Sequence, residues 1–295
     1  MKAATVLIPT YRHAKLLPFA MRSALAQEDA EIEVFVVGDG VEGDTRQALE
    51  PFLADPRVRL FDRPKGERHG ERLRHEALRE SAAPIVTYLC DDDLLLPGHV
   101  RRMIELLEHA DVATDLPANV WPDGSIRYFA FDFGRPEFVQ LVAEGRGGGG
   151  LTGFAHTREA YDRLPFGWRP APPETPTDVY MWQQFVSLPS FKGVTSDRLT
   201  SLSFPSPLRT EMTDDERVAE LELWEGRIQD PGFPKELEAL TFAAARRASE
   251  RLKLTSLRLE DELERVRRTR WWRVRRALAG LRPLRALSAR RREAR

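Results

Sequence analysis

Residues 4 to 109 alternate short apolar runs with segments of helical apolar spacing, and this alternation limits the fold more than any other feature. ATVLIP (4–9), EIEVFVVG (31–38), RVRLFD (57–62) and PIVTYLC (84–90) read as strands. Between them LLPFAMRSALAQ, DTRQALEPFLAD and GERLRHEALRESA read as helices, and a further helix is expected from Pro97 to about His109, with the proline in its first turn. Strands separated by helices pair in parallel and need cover on both faces. The expected class is therefore α/β, with a mostly parallel, Rossmann-like sheet and helices on both sides.

After Asp111 the rhythm changes. DVATDLPANVWPDGSIRYFAF predicts two strands joined around Pro122-Asp123-Gly124, and EGRGGGGLTG (144–153) predicts a loop. HTREAYDRL and VYMWQQFVSL read as helices on either side of the proline-rich RPAPPETPTD, and Asp214 to about Arg276 reads as largely helical. The organisation expected is a domain over 1–212, with a first half at 1–110 and a second at 111–212, followed by a helical extension over 213–295. The Gly147–Gly150 run serves either as a hinge for a closing lid or as a plain surface loop.

A net charge of −1 conceals two unlike parts: the stretch from Arg265 to Arg295 is dense in arginine with Glu293 as its one acid, which leaves the rest acidic. The single cysteine, Cys90, excludes intrachain disulfides and a cysteine-rich zinc cluster. The N-terminal run is too short for a secretion signal, and no stretch approaches a spanning helix, so a cytoplasmic protein, soluble or peripheral at the inner face of the membrane, is expected.

The chemistry concentrates in YLCDDDLLLPGHV (88–100), where Asp91, Asp92 and Asp93 follow an apolar strand. Ligands of open parallel sheets bind beyond the carboxyl ends of strands, and adjacent carboxylates there suit a hard cation, Mn2+ or Mg2+, that holds phosphate oxygens. Helix capping is the plainer reading, but it uses one or two acids rather than three. A rival motif is Gly38, Gly40 and Gly43 of VVGDGVEGDT, a G-x-G-x-x-G after a strand, with Asp62 near the place of a ribose acid. It would make the protein an NAD(P)-dependent oxidoreductase. Against it, the glycines follow the second strand, and Asp44-Thr45 reads as a cap that leaves the last glycine outside the helix.

IPTYRHAKLLPFAMRSALAQ, EIEVFVVGDGVEGDT and IVTYLCDDDLLLPGHV together resemble family 2 of the inverting glycosyltransferases, of the GT-A fold and bacterial surface-polysaccharide type. The resemblance rests on Pro9-Thr10-Tyr11, on Ser23-Ala24-Leu25-Ala26-Gln27, on Asp39 in a degenerate D-D-G-S turn, and on the acidic triplet as the D-x-D region. It implies that Pro9, Thr10 and Tyr11 line a nucleotide-sugar site, Asp39 meets the base, Asp91 the ribose, Asp92 the metal and Arg74 the diphosphate. Cys90 departs from the family's usual acid, and His75 and Ala77 depart from its usual pattern around the arginine. Asp93 is left to cap or to remain solvated. The family draws its base from an acid before a helix in the second half; here that is Asp178, with Glu174 in reserve, unless Asp178 only caps its helix. The reaction implied is metal-dependent inverting transfer of a sugar, from a UDP-sugar above other donors, to a carbohydrate or lipid-linked acceptor. A family member without catalysis, acting as a scaffold, is the other alternative.

The remaining candidates carry less. His69, His75 and His99 are expected at the surface, and His156 either touches an acceptor or does not. Trp168, Tyr180 and Trp182 offer stacking surface or core. The tail around Trp271 and Trp272 is a basic amphipathic segment suited to an anionic membrane, and nothing in the chain resembles a nucleic-acid module. Heptad-like leucines in RLKLTSLRLEDELERV are suited to pairing subunits in a homo-oligomer.

Overall fold

A computed structural model describes residues 2–27 and 30–269. The first half runs β1 (Ala4–Thr10), α1 (Leu17–Leu25), β2 (Ile32–Asp39), α2 (Gly43–Leu49), β3 (Val58–Arg63), α3 (Glu71–Arg79), β4 (Ile85–Tyr88), β5 (Leu94–Leu95) and α4 (His99–Leu107). The second continues β6 (Val112–Thr114), β7 (Ala118–Val120), β8 (Ile126–Tyr128), α5 (Pro136–Ala143), β9 (Phe154–Thr157), α6 (Arg158–Asp162), α7 (Thr177–Val186), β10 (Gly193–Thr195), β11 (Ser201–Leu202), α8 (Asp214–Gln229) and α9 (Phe233–Arg268).

Seven strands form the central sheet in the order β10-β6-β9-β4-β1-β2-β3. All neighbours are parallel except β9, which runs antiparallel to both β4 and β6. The expected parallel sheet is thus present with one reversed strand in its interior. That strand takes His156 and Thr157 from the segment read as helix, with Phe154 and Ala155 just past the expected loop; only Arg158–Asp162 is helical, capped by the Thr157 side chain. The expected pair of strands around Pro122 is the β7–β8 hairpin, and β6 precedes it as a third strand in the main sheet.

The order places the chain reversal between β1 and β4. From β1 the chain steps outward through β2 and β3, then returns to β4 on the other side of β1. Loops leaving β1 and β4 therefore diverge and open a crevice at their carboxyl ends. Apolar faces lock this frame. Val6, Ile8, Val34 and Val36 pack with Leu17, Ala20 and Met21 of α1 on one side of the sheet, while Leu7, Phe35, Val86 and Tyr88 pack with Trp168, Trp182 and Phe185 on the other.

The chain divides into two compact units, Met1–Ala244 and Ala245–Arg295. Within the first, α8 is part of the body: Leu221 and Trp224 join a third core cluster with Leu16, Phe19, Leu94 and Phe204. A capping box between Thr213 and Glu216 starts α8, and the buried Arg209 grips Glu220 at 2.6 Å. Within the second unit, the described part of α9 exposes Leu252, Leu259, Leu263 and Val266. The segment read as largely helical from Asp214 forms two helices, with a break between Gln229 and Phe233 around Pro231 and Gly232. The tryptophan-bearing part of the tail, from Arg270 onward, lies outside the described residues.

Candidate active site

A cavity of about 690 Å³ opens at the β1/β4 reversal, and every site residue proposed from the sequence lines it: Pro9, Thr10, Tyr11, Asp39, Arg74, Asp91, Asp92 and Asp178. These come from five separate stretches of chain, brought to one place by three strand ends and the first turns of two helices. Glu174, the reserve base, is exposed and is not among the lining residues.

The floor is made by the loops after β1 and β4. Arg12 takes a left-handed φ of 59°, which turns the chain sharply between its neighbours. Asp91 then accepts from the Tyr11 backbone N–H at 3.3 Å and meets His13 Nδ1 at 2.8 Å. The hydrogen bond to Asp91 raises the His13 pKa against the opposing effect of burial. Asp92 accepts from Ser206 Oγ at 2.8 Å and from the Arg217 guanidinium, contributed by α8. Asp93 is neither solvated nor a helix cap, as the sequence had suggested. It is buried, its Oδ1 accepts from the Phe204 backbone N–H at 2.6 Å, and burial first, then Asp92, lift its pKa to about 7.

The walls carry the compensating charge. Asp39, at the end of β2, binds Lys65 Nζ at 2.5 Å and the Gly66 N–H at 2.6 Å, so both its oxygens are engaged by the strap after β3. Gly70 closes that strap with a φ of 71°; a Cβ there would stand 2.8 Å from the Asp39 carboxyl carbon. Arg74, one turn into α3, donates from Nη2 to the His69 carbonyl at 2.9 Å, while its Nε and Nη1 are buried without a partner. Its guanidinium lies 4.8 Å from the Trp168 ring centroid, so the base of the group is packed and its open donors are held in place. Two unsatisfied nitrogens on a buried cation form a strong demand for an anion. Thr10 Oγ1 is buried and unpartnered as well.

Asp178 sits in the first turn of α7, whose N-cap is Pro176 and has no side-chain cap bond. Asp178 therefore is not the cap of that helix. No protein group hydrogen-bonds its carboxylate among the described residues, and burial raises its pKa, opposed by Arg74 and then His69. Thr177 ties the same turn to α3 through Glu71 Oε1 at 2.7 Å.

A second cavity of about 590 Å³ adjoins the first and shares Cys90, Asp92, Leu151 and Asp178 with it. Its other walls include Asp115, Asn119, Phe129, Phe131, Gly148 to Gly150 and Ser201 to Pro207 except Leu202. Asp115 accepts from the Ser201 N–H and Oγ at 2.8 and 2.7 Å, and burial lifts its pKa to about 7. Cys90 donates its backbone N–H to Thr152 Oγ1 at 2.9 Å, and burial first, then Asp93, push its thiol well above the ordinary range.

Other candidates resolve differently. His99 and His156 are fully buried, and burial lowers both to about 4. His99 bridges Thr87 and Thr200, and His156 pairs with Tyr88 Oη at 2.8 Å; each fills a polar niche in the core, so His99 is not a surface group and His156 does not face an acceptor. Trp168 and Trp182 are core residues, with the Trp168 indole donating to Tyr88 Oη. His69 lines the main cavity. Gly43 begins α2, with Glu42 at the N-cap, so the sequence argument that Asp44-Thr45 holds the glycine outside the helix does not stand. The rival fails on other grounds. Lys65 packs over Gly40, with backbone atoms 2.9 Å from where a Cβ would be, and Asp62 is paired with Arg46 at 2.8 Å.

Sequence reasoning missed His13, Lys65, Asp115, Ser206 and Arg217. His13 and Lys65 follow the carboxyl ends of β1 and β3, where such groups are to be sought. Arg217 carried no local signal, because only the packing of α8 brings it to Asp92.

An open α/β sheet with an acid-lined crevice at its reversal, and one antiparallel strand beside it, is the arrangement of the GT-A nucleotide-diphospho-sugar transferases. Comparison with known proteins agrees: residues 5–137 match the family described as Glycosyl transferase family 2. It is 35% identical over 131 residues to the succinoglycan biosynthesis protein ExoO of Rhizobium meliloti, a match covering 43% of this chain and 36% of that protein. It is 26% identical over 106 residues to a GalNAc(5)-diNAcBac-PP-undecaprenol beta-1,3-glucosyltransferase of Campylobacter jejuni, covering 36% of this chain and 34% of that one. The chain thus matches about a third of the length of these relatives. Among solved structures it is similar to S. aureus TarS 1–349, with TM-score 0.56, 16% identity, and coverage of 69% of this chain and 60% of that one. It is also similar to a mannosyltransferase from Pyrobaculum calidifontis in complex with GDP-Man and Mn2+, with TM-score 0.50, 17% identity, and coverage of 88% and 80%.

Proposed function

We propose that the protein transfers a sugar from a nucleoside diphosphate donor to an acceptor hydroxyl, with inversion, using Asp178 as base. The observation that carries this reading is the meeting, in one cavity, of Asp91 and Asp92, a buried Arg74 with two open donors, and an unbonded Asp178 of raised pKa. A nucleotide diphosphate satisfies the first two needs at once, and a scaffold would have use for neither.

The donor set fits a divalent cation. His13, Asp91 and Asp92 offer one nitrogen and two carboxylate oxygens within 4.8 Å of one another, a set suited to Mn2+ and, through its oxygens, to Mg2+. Asp92 and Asp91 would hold the ion, with His13 beside them after losing its proton. When bound, the cation neutralises the departing diphosphate. Arg74 supplies fixed donors to the same anion from the other wall. Asp178 lies on the boundary shared with the second cavity, where an acceptor hydroxyl would enter. Its desolvated carboxylate takes the hydroxyl proton as the new bond forms; a raised pKa makes it a stronger base than a solvated acid. Thr10 Oγ1 offers a further open polar contact to the donor.

The sugar nucleotide is proposed to be a UDP-sugar, on the resemblance of the motifs; structural neighbours are known with UDP-GlcNAc and with GDP-Man. The acceptor is proposed to be a carbohydrate or lipid-linked saccharide of surface-polysaccharide synthesis, at the cytoplasmic face of the membrane. No described helix is long and apolar enough to cross a membrane, and the arginine-rich tail is proposed to hold the protein to anionic lipid. The exposed leucines of α9 are proposed to pair two copies. The direct test is release of nucleoside diphosphate from a panel of UDP-, GDP- and dTDP-sugars with Mn2+. Turnover with one donor, lost in Asp178→Asn, supports the reading; no release from any donor defeats it.

A further inference from the structure

Asp92 has a partner that the transferase reading does not use. Its Oδ2 is held by the Arg217 guanidinium and by Ser206 Oγ, and both members of the ion pair are 11% exposed. Arg217 projects from α8, which is fixed to the body by ion pairs on either side: Asp215 to Lys15 at 2.6 Å, and Glu225 to Arg22 through two bonds of 2.6 and 2.9 Å. The guanidinium therefore does not drift to Asp92; the helix delivers it there.

We infer that Arg217 guards Asp92 against a cation arriving alone and turns to the donor diphosphate when both ligands arrive. This rests on the transferase reading above. The argument is electrostatic. A divalent ion binding Asp92 displaces or crowds a largely buried guanidinium, and two cations competing for one poorly solvated carboxylate repel each other. The groups that interact with them are Asp91 and Asp93 on the acidic side and His13 on the basic side, while Asp178, Arg74, Lys65 and His69 line the same cavity as Asp92. His13 already feels Arg217, which opposes its protonation. A diphosphate brings the negative charge that both cations lack once Asp92 is shared. Arg217 is thus a positioning residue for the donor and a source of coupling between ion and nucleotide, and that coupling is reciprocal.

The experiment is calorimetric titration of Mn2+ alone, and of UDP or GDP in its presence, into the wild type, Arg217→Ala and Arg217→Lys. In Arg217→Ala, Mn2+ alone is expected to bind about tenfold tighter, the change that about 1.4 kcal/mol of lost competition produces. The nucleotide is expected to bind several-fold more weakly to the Mn2+-loaded variant, so the coupling between the two shrinks from both ends. Arg217→Lys, which keeps the charge without the fork, should fall between. A merely structural peg for α8 would lower the melting temperature of Arg217→Ala without tightening Mn2+. Unchanged or weaker Mn2+ binding, in a variant whose wild type binds nucleotide normally, overturns the inference and leaves the transferase reading intact. A wild type that binds no nucleotide with any cation overturns both. Where Arg217→Ala does not fold, Arg217→Gln, which preserves much of the side chain, carries the same prediction for Mn2+.

Discussion

The two adjoining cavities are built differently. The one at the β1/β4 reversal takes its groups from strand ends whose positions are set by an unbroken parallel register, Ala4 to Thr10 against Ile32 to Gly38. Its charges are numerous and mostly engaged: Asp39 with Lys65, Asp91 with His13, Asp92 with Arg217. The second is walled by glycines, prolines, serines and three phenylalanines on loops and very short strands, with Asp115 as its buried acid besides those shared or adjoining at Asp92, Asp93 and Asp178. A rigid charged cavity suits a ligand common to a whole family, the nucleotide diphosphate. A loop-walled one suits the partner that varies, the acceptor. Asp178 borders both.

That contrast is open to attack at several points. The largest effect is expected from Asp178→Asn: turnover falls by about 10² to 10⁴-fold, the usual worth of a general base, while nucleotide affinity is retained. Equal losses in steady-state turnover and calorimetric affinity would place Asp178 wholly in the donor cavity. Asp92→Asn is expected to lower turnover by about a hundredfold or more and to abolish the response to Mn2+. In the wild type, turnover should fall with acid on a limb lying above the ordinary carboxylate pKa of about 3.9, because the proposed base, Asp178, acts deprotonated and burial has raised its pKa. A pH–rate profile measures that limb.

Smaller effects bear on the second cavity. Gly153→Ala puts a Cβ 2.3 Å from Asp115 Oδ1 at a φ of 80° and is expected to cost about 2–4 kcal/mol of stability. Gly147→Ala has a similar φ of 78° but open space around it, and should cost about 1 kcal/mol. Denaturant melts separate the two. Asp115, raised to about 7 in the fold from about 3.9 unfolded, keeps its proton longer in the folded state. The stability it contributes is full below the unfolded pKa and is lost as pH rises through about 7. Asp115→Asn should flatten the dependence of melting temperature on pH between 4 and 7, leaving the part due to Asp93.

The first half of the molecule was legible because its signals are local. Both faces of β1, β2 and β4 are buried, so their sequences are continuous apolar runs, and the residue after each run falls at the crevice by construction. Hence Thr10, Asp39, Asp91 and Asp92 were readable as site positions without any contact being known. The second half was legible in its turns and helices but not in its pairing. β9 hides because FAHT is four residues long, and the His156 inside it is made tolerable by the Thr157 carbonyl and by Tyr88, which β4 brings to it. Asp93 and Asp115 were misjudged or missed for one reason: their partners, the backbone at Phe204 and at Ser201, lie 111 and 86 residues away. Arg217 is the extreme case, 125 residues from Asp92. α8 itself read as part of a helical extension over 213–295, since only Leu221 and Trp224 of its sixteen residues are buried and no apolar stripe announces its docking.

The central claim is that the carboxylates at the β1/β4 reversal hold a cation and, through it, a nucleotide diphosphate. Calorimetric titration of UDP, GDP and dTDP into the protein, with and without Mn2+, and again into Asp92→Asn, tests it most directly. One nucleotide binding only with the cation, and losing that binding in the variant, is the predicted result. Absence of binding by all three under every condition, or binding that Asp92→Asn leaves unchanged, would contradict it.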